Sequence, residues 1–450
     1  MTSAIVMAAG KGTRMHSQHG KTMHKLLGKP MIEHICDTLE KLKVENKVFV
    51  IGFDGESIKN HLKERCDYAV QQPQYGTAHA VAQAKQLENE KGKTLIINGD
   101  CPLISVETYQ KLLEKASEYP LVVLSTVLED PASYGRIIRN ENNEVLAIVE
   151  KKDCNSQQLA VKEINAGIYC VDNELLWKYL PEVNNDNAQK EYYITDLVKI
   201  FRSHGHKVAA LIGDSEELQG INSMEELAKA TKWLKEKINR YWMNQGIQIV
   251  DPDNTYIGTD VQIGQDTIIY PDVRIEGKTV IGCDNTIEEG CYFNNAQIGN
   301  NNTIIACRIT DSSVADGNKI GPNSHLRNGC QIGNNCRIGN YVEMKNTIFS
   351  DGSKCAHLTY IGDTKVGKKC NFGCGVVTVN YDGKNKYHTE IGDNCFIGSN
   401  VNIIAPVTIH DNTVLAAGST ITKDVLEGEM AIGRVRQENK PEYGFKYLNK

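Results

Sequence analysis

Gly10-Lys-Gly-Thr-Arg14 follows directly on the apolar run Ala4-Ile-Val-Met-Ala8-Ala9, and Lys21 stands seven residues past Arg14. A glycine-rich turn after a first strand exposes backbone N–H groups to an anion, and two cationic side chains in one loop suit phosphate. The turn is not a Rossmann fingerprint, because Gly10-x-Gly12 lacks a third glycine, and no Gly-Lys-Ser/Thr of a Walker loop follows. Triphosphate binding is the functional reading; a tight turn with solvated basic residues is the plain one. The fourteen cysteines form no Cys-x-x-Cys. Several, such as Cys330 and Cys336, sit six apart, as small apolar residues at a coil corner or interior would. A zinc site from Cys370, Cys374 and a His is the alternative.

The elements that must position the loop read as alternating strand and helix. Apolar runs recur at Lys47-Val-Phe-Val-Ile-Gly, Thr94-Leu-Ile-Ile-Asn-Gly-Asp100 and Pro120-Leu-Val-Val-Leu-Ser, with amphipathic stretches at Ile32 to Leu42 and Ala78 to Leu87. This order predicts a parallel sheet covered on both faces, with ligands at the carboxyl ends of its strands. From Met224 to Asn244, Leu227, Ala230, Leu234, Ile238 and Tyr241 recur at helical spacing, with Asn222-Ser223 as a cap and Gly246 as a stop. Whether this stripe packs on its own subunit or on another is open.

Beyond Tyr256 a six-residue beat takes over. Ile257, Ile263, Ile269, Ile275, Ile281, Ile287 and Phe293 keep it, as do Val314, Ile320, Leu326, Ile332 and Ile338, then Ile391, Ile397, Ile403, Ile409, Leu415 and Ile421. Six residues suit one short strand and a turn, so the C-terminal half reads as a parallel β-helix with Gly, Asn or Asp at its corners. The beat fails from Glu343 to Tyr360 and from Phe372 to Glu390, and irregular excursions from a rigid coil are common places for function.

At 450 residues, two or three domains are expected. A net charge of -6 offers no basic patch for nucleic acid or an anionic membrane, and no apolar run suits membrane insertion. A cytoplasmic location is the expectation.

Ala8-Ala-Gly-Lys-Gly-Thr-Arg-Met with Lys21 resembles the signature of sugar-nucleotide pyrophosphorylases. Gln71-x-x-x-Tyr-Gly76-Thr77, Gly99-Asp100-x-Pro-Leu, Tyr134-Gly135-Arg136, Val149-Glu150, Glu163-Ile-Asn165 and Gly220-Ile-Asn222 follow in order. With Leu326-Arg327, Val342-Glu-Met-Lys345, Ala356-His357-Leu-Thr-Tyr360, Asn371-x-Gly, Val379-Asn380-Tyr381, Lys386, Ser399, Ala416-Ala417-Gly and Arg434, nearly the whole chain resembles the bifunctional GlmU family. These enzymes join glucosamine-1-phosphate N-acetyltransferase to N-acetylglucosamine-1-phosphate uridylyltransferase.

The resemblance implies an α/β plus β-solenoid chain: a Rossmann-like nucleotidyltransferase domain over 1–223, a helical linker over 224–248, and a left-handed parallel β-helix of hexapeptide repeats over 249–450. Its product would be UDP-N-acetylglucosamine for cell-wall precursors. It implies catalytic Arg14 and Lys21, UTP or product contacts from Ala8, Ala9, Gly10, Lys21, Gln71, Gly76, Thr77, Gly135, Glu150, Asn165 and Asn222, and Mg²⁺ on Asp100 and Asn222. For acetyl transfer it implies His357 as base, a residue type suited to taking a proton near neutral pH. Arg327, Lys345, Tyr360, Asn371 and Lys386 would hold the sugar phosphate, and Cys374, Asn380, Tyr381, Ser399, Ala417 and Arg434 would hold acetyl-CoA. UTP and acetyl-CoA are then co-substrates, and the assembly a homotrimer.

Departures from the family's pattern are Gly20, Asn328 and Arg436 in place of proline, Asn98 in place of an aromatic, and Cys374 in place of alanine. Two other readings remain: a single-activity nucleotidyltransferase with a structural solenoid, and a non-catalytic scaffold of the same architecture.

Overall fold

The computed structural model describes residues 1–448, so the last two residues of the expected C-terminal domain lie outside the described residues. The chain divides into two compact units, Met1–Leu234 and the part from Lys235 onward.

In the first unit, β-branched runs form a twisted sheet. Its central strand, Thr2–Ala8, pairs in parallel with Asn46–Ile51 on one side and Lys93–Asn98 on the other. Asp67–Val70 continues the parallel set on the Asn46–Ile51 side. Helices Met31–Lys41 and Val106–Lys115 bury one stripe each, and the runs Ala4 to Ala8 and Leu95 to Ile97 are covered on both faces. The sheet departs from the expected all-parallel arrangement. Strand Glu163–Asp172 runs antiparallel to both Lys93–Asn98 and Leu121–Val127. Its chain reaches the sheet through the hairpin Arg136–Arg139 and Val145–Val149, which returns it in the reverse direction. Leu227, Ala230, Trp233 and Leu234, from the start of helix Met224–Asn244, pack with Leu26, Met31, Leu103 and Ile221 in this unit.

In the second unit, three parallel ladders stack coil upon coil. One ladder runs through Ile268–Ile269, Thr286–Ile287 and Thr303–Ile304, the next through Arg274–Glu276, Tyr292–Asn294 and Arg308–Thr310, and the third through Val280–Ile281, Gln297–Ile298 and Ser313–Val314. The beat residues Ile257, Ile269, Ile275, Ile287, Phe293, Leu326 and Ile338 are fully buried and make one continuous core. Cys330 and Cys336 are buried in it, while Cys374 is exposed. Ile238 and Trp242, late in the helix, pack on the same core. Leu227, Ala230, Leu234 and Ile238 of its stripe therefore pack on this chain, while Tyr241 is exposed.

Corners demand left-handed backbone, which Asn and Asp tolerate better than other residues with a side chain. Asp266, Asp272, Asp284, Asn301, Asn323, Asn335, Asn394, Asn400 and Asn412 all adopt it. Asn328 does too, at φ 56, a conformation closed to proline.

The break expected from Glu343 to Tyr360 is not an excursion. Strand Arg337–Lys345 pairs with Lys354–Gly362 from Arg337↔Lys354 to Lys345↔Gly362 without a slip. The coil there is one residue shorter than the 18-residue spacing that joins Thr267 to Asn285, so the sequence beat shifts phase while the ladder continues. The second break is a true insertion: Lys368 and Asp393, stacked across one coil, are 25 apart. The extra residues leave the coil after Asn380, and Tyr381 and Lys386 pair in a small antiparallel bridge.

Candidate functional site

At the carboxyl ends of the central strands of the first unit lies a cavity of about 330 Å³. Met7↔Asn98 is the last pair of the ladder between strands one and four of the parallel set, so the loops starting at Ala8 and Gly99 emerge side by side. Ala8, Ala9, Gly10, Lys21, Gln71, Gly76, Thr77 and Asp100, all expected from the sequence, line this cavity. Lys21 Nζ donates to Asp100 Oδ2 at 2.5 Å and to Asn222 Oδ1 at 2.9 Å. The ammonium thus stands between two hard oxygens, one of them anionic.

The far wall is fixed by backbone. Gln71, buried, donates from Nε2 to the Gly76 carbonyl at 2.9 Å. Gly76 holds φ 116, and a Cβ there would lie 2.5 Å from the Tyr192 carbonyl oxygen, so only glycine fits. Thr77 Oγ1 accepts from the Ile194 N–H at 2.9 Å.

Gly135, Glu150 and Asn165 form a separate cluster. The Asn165 N–H donates to the Gly135 carbonyl at 2.9 Å, and a Cβ on Gly135 would come within 3.2 Å of Glu150 Oε1. Burial, with repulsion from Asp153 and Asp196, holds the Glu150 carboxyl above the usual range against a hydrogen bond with Thr195. Tyr134, next to Gly135, connects this cluster to the Lys21 site, since its hydroxyl accepts from the Gly220 N–H at 3.1 Å, two residues before Asn222. Arg14 is not brought into the cavity lining; it is exposed on the turn Thr13–Met15. Gln74, Asn98 and Glu191 line the cavity without having been singled out as site residues. Gln74 donates to the Ala9 carbonyl, a contact that no local pattern announces.

Among the described residues no group of three His, Cys, Asp or Glu could hold a metal. Asp100 and Asn222 nevertheless fit a hard cation that takes its remaining ligands from water and phosphate, since they already converge on one positive charge.

The second unit gathers its expected residues at two corners of the coil. At one, successive coils stack closely. The Gly375 N–H donates to the Leu358 carbonyl at 2.7 Å, the Asn400 N–H to Cys374 at 2.7 Å, and the Gly418 N–H to Ser399 at 2.8 Å. Cβ atoms on Gly373 and Gly398 would meet the Ser399 and Ala417 amide nitrogens at 2.5 and 2.6 Å, and Gly418 lies against Arg434. His357, Cys374, Ser399, Ala417 and Arg434 therefore form an exposed column, with small residues where an extended ligand could lie against backbone.

The other corner is charged. Arg327 pairs with Glu343 at 2.6 Å. Lys345 lies 3.9 Å from Asp363. Contact with the Lys386 ammonium, with burial, pulls Lys345 below the usual lysine range against the attraction of Asp363. Asp363 accepts from Asn346 Nδ2 at 2.7 Å and Asn380 Nδ2 at 2.5 Å. Burial opposes its ionisation, but those hydrogen bonds and the charges of Lys345 and His388 outweigh it and hold the carboxyl below the usual range. Asp363, three residues past Tyr360, was not among the expected site residues.

The expected ligand sets are not each brought together within one chain. Asn380 and Tyr381 stand at the cationic corner rather than with Cys374 and Ser399. Asn371, in register with Lys354, is at the opposite end of that strand from Tyr360.

Residues 3–247 match the family Nucleotidyl transferase, and residues 311–346 and 388–423 match Bacterial transferase hexapeptide (six repeats). The chain is 47% identical over 444 residues to the Bifunctional protein GlmU of Geobacillus sp. (strain WCH70), covering 98% of this chain and 97% of that one. It is 46% identical over 441 residues to Bifunctional protein GlmU of Clostridium botulinum (strain ATCC 19397 / Type A), with 97% and 96% covered. The protein of the same name from Clostridioides difficile (strain 630) is 47% identical over 437 residues, with 96% and 95% covered. The stacked hexapeptide coils fit the left-handed parallel β-helix, and no helix among the described residues is long and apolar enough to cross a membrane. With an N-terminal nucleotidyltransferase fold, a hexapeptide transferase solenoid and these relatives matched along almost their whole length, the chain belongs to the family of bifunctional GlmU transferases.

Proposed function

We propose that this chain acetylates glucosamine-1-phosphate with acetyl-CoA and then transfers UMP from UTP to the N-acetylglucosamine-1-phosphate so formed, giving UDP-N-acetylglucosamine and pyrophosphate. We assign the uridylyl step to residues 1–223, the acetyl step to 249–450 and the connection to 224–248, and expect a cytoplasmic homotrimer. The observation that carries the reading is the pair Asp100 and Asn222 converging on the ammonium of Lys21, which with Asp100 lines the strand-end cavity.

In uridylyl transfer a sugar-phosphate oxygen attacks the α-phosphorus of UTP in line, and the bond to pyrophosphate breaks. The obstacle is negative charge, so positioned cations and backbone N–H groups supply the catalysis. Lys21 and Arg14 neutralise phosphate; for Arg14 this requires its turn to fold over bound UTP. Gln71, Gly76 and Thr77 hold the uridine, and Gly135, Glu150 and Asn165 the sugar. Asp100 and Asn222 would hold Mg²⁺, which supplies further charge neutralisation at the phosphates when bound.

In acetyl transfer the 2-amino nitrogen of the sugar attacks the thioester carbonyl. His357 takes the proton from that nitrogen, and CoA leaves as its thiol once protonated. Arg327, Lys345 and Lys386 bind the sugar phosphate with Tyr360 and Asn371, while Cys374, Ser399, Ala417 and Arg434 receive acetyl-CoA with Asn380 and Tyr381. The division of these residues between two corners of one chain favours an assembly in which neighbouring subunits complete each site.

The test incubates purified protein with glucosamine-1-phosphate, acetyl-CoA, UTP and Mg²⁺, omitting each in turn. CoA release is expected without UTP, and pyrophosphate release from glucosamine-1-phosphate only with acetyl-CoA present. His357→Ala should lower CoA release by a factor of about 100 or more while sparing pyrophosphate release from UTP and N-acetylglucosamine-1-phosphate. Asp100→Ala should do the reverse. Equal loss of both activities in either folded variant refutes the two-site reading.

A further inference from the structure

The segment carrying Lys21 is tied to the rest of the first unit through Gly20, whose N–H donates to Asp54 Oδ2 at 2.7 Å. Gly20 is buried at φ −56 and ψ 135, a backbone that proline adopts freely, but a proline has no N–H to give. Asp54 is itself braced: its Oδ1 accepts from Ser57 Oγ at 2.5 Å, and its backbone is left-handed at φ 57. The turn that holds it, Gly52 to Gly55, also grips the phosphate loop. The Phe53 N–H donates to the Ala9 carbonyl at 3.2 Å, and a Cβ on Gly52 would lie 2.8 Å from that oxygen. One turn thus bonds to both sides of the anion site, the Ala9 backbone and the segment that opens the turn Lys21–Met23.

We propose that Asp54 is a positioning residue for uridylyl transfer, its carboxylate fixing Gly20 and so the approach of Lys21 to phosphate. The link does by hydrogen bond what a proline ring would do by fixing φ, and the two devices exclude each other. A ring Cδ at position 20 would replace the hydrogen directed at Asp54 Oδ2 and collide with an oxygen already 2.7 Å from the nitrogen. Proline at 20 is therefore harmful while Asp54 is present and restorative once it is gone. Glycine at 54 completes the exchange, since it takes the left-handed backbone without strain. The proposal rests on the reading of Lys21 as a phosphate-binding cation.

The experiment compares Asp54→Gly, Asp54→Asn, Gly20→Pro, the double variant Asp54→Gly with Gly20→Pro, and Lys21→Ala. Each is assayed for pyrophosphate release across a range of sugar phosphate, for CoA release, and for thermal unfolding. Asp54→Gly and Gly20→Pro should each lower kcat for uridylyl transfer about 10- to 100-fold, the scale of a misplaced catalytic group. KM for the sugar phosphate should stay within about threefold, since the sugar contacts lie elsewhere. CoA release should be unchanged. The double variant should return to within about threefold of the parent, and Asp54→Asn, which keeps an acceptor oxygen, should remain near it. Full kcat in Asp54→Gly, or a double variant carrying the product of both losses, overturns the proposal. So does a loss that extends to CoA release. If Lys21→Ala keeps full uridylyl transfer, the phosphate reading of Lys21 has failed; if it loses activity while Asp54→Gly keeps it, only the positioning role has.

Discussion

Asp363 shows how one side chain organises charge in the solenoid. The residue is 5% exposed, and its carboxylate takes hydrogen bonds from Asn346 and Asn380 while facing Lys345. Because its folded pKa lies below the unfolded value, its stabilisation is present above the ordinary carboxylate range and is lost as pH falls through the lowered folded value. Asp363→Asn should therefore cost about 1–3 kcal/mol near neutral pH, measured by urea unfolding. The gap to the parent should close as pH is lowered below about 4 and the parent carboxyl protonates. A gap that persists unchanged at low pH would assign the loss to packing instead. Residues of this kind were hardest to read in the sequence. Lys21, Asp100 and Asn222 could be picked out because each sits in a short run with a recognisable order. Asp54 and Asp363 act through partners 34 and 17 positions away, and nothing local to either marks the contact.

The hexapeptide beat announced the solenoid directly, since a six-residue period leaves room only for a strand and a turn. What the beat could not distinguish was a shortened coil from an excursion, because both shift the phase of the apolar residues. A one-residue contraction leaves the Arg337–Lys345 ladder intact, whereas the insertion after Asn380 leaves it altogether. The all-parallel sheet failed for a related reason: an apolar run carries no direction, and Glu163–Asp172 reads alike either way. Buried asparagines supply a further device within the coils. The Asn302 N–H donates to Asn285 Oδ1 at 2.9 Å, and the Asn318 N–H to Asn302 Oδ1 at 2.8 Å, each one coil apart. Asn302→Ala strands a buried N–H and should cost about 1–3 kcal/mol in urea unfolding of the solenoid. Its neighbour Asn301, left-handed at φ 57, should tolerate glycine to within about 0.5 kcal/mol, since it supplies a corner conformation that glycine also adopts. Equal costs at the two positions would show that corner geometry, and not the ladder, dominates.

Across the whole molecule, chemistry is divided between two independently packed units, and within the second it is divided again. His357 stands in one column with Cys374, Ser399, Ala417 and Arg434, while Arg327, Lys345 and Lys386 gather at the other corner of the same coils. A substrate whose amine must meet His357 while its phosphate meets Lys345 is served by opposing these corners from two neighbouring copies, which a closed cyclic assembly does at every interface. This makes the two corners separable by mixing. His357→Ala and Lys345→Ala, each inactive alone in CoA release, should regain activity when unfolded together and refolded, because some interfaces then pair an intact His357 from one copy with an intact Lys345 from the next. With equal, random mixing about a quarter of the sites are whole, so CoA release should approach about a quarter of the parent's, while either variant refolded alone stays inactive. Pyrophosphate release should be unaffected throughout, which confirms that both chains refolded. No recovery in mixtures that assemble normally by light scattering would place His357 and Lys345 of one and the same copy in a single site.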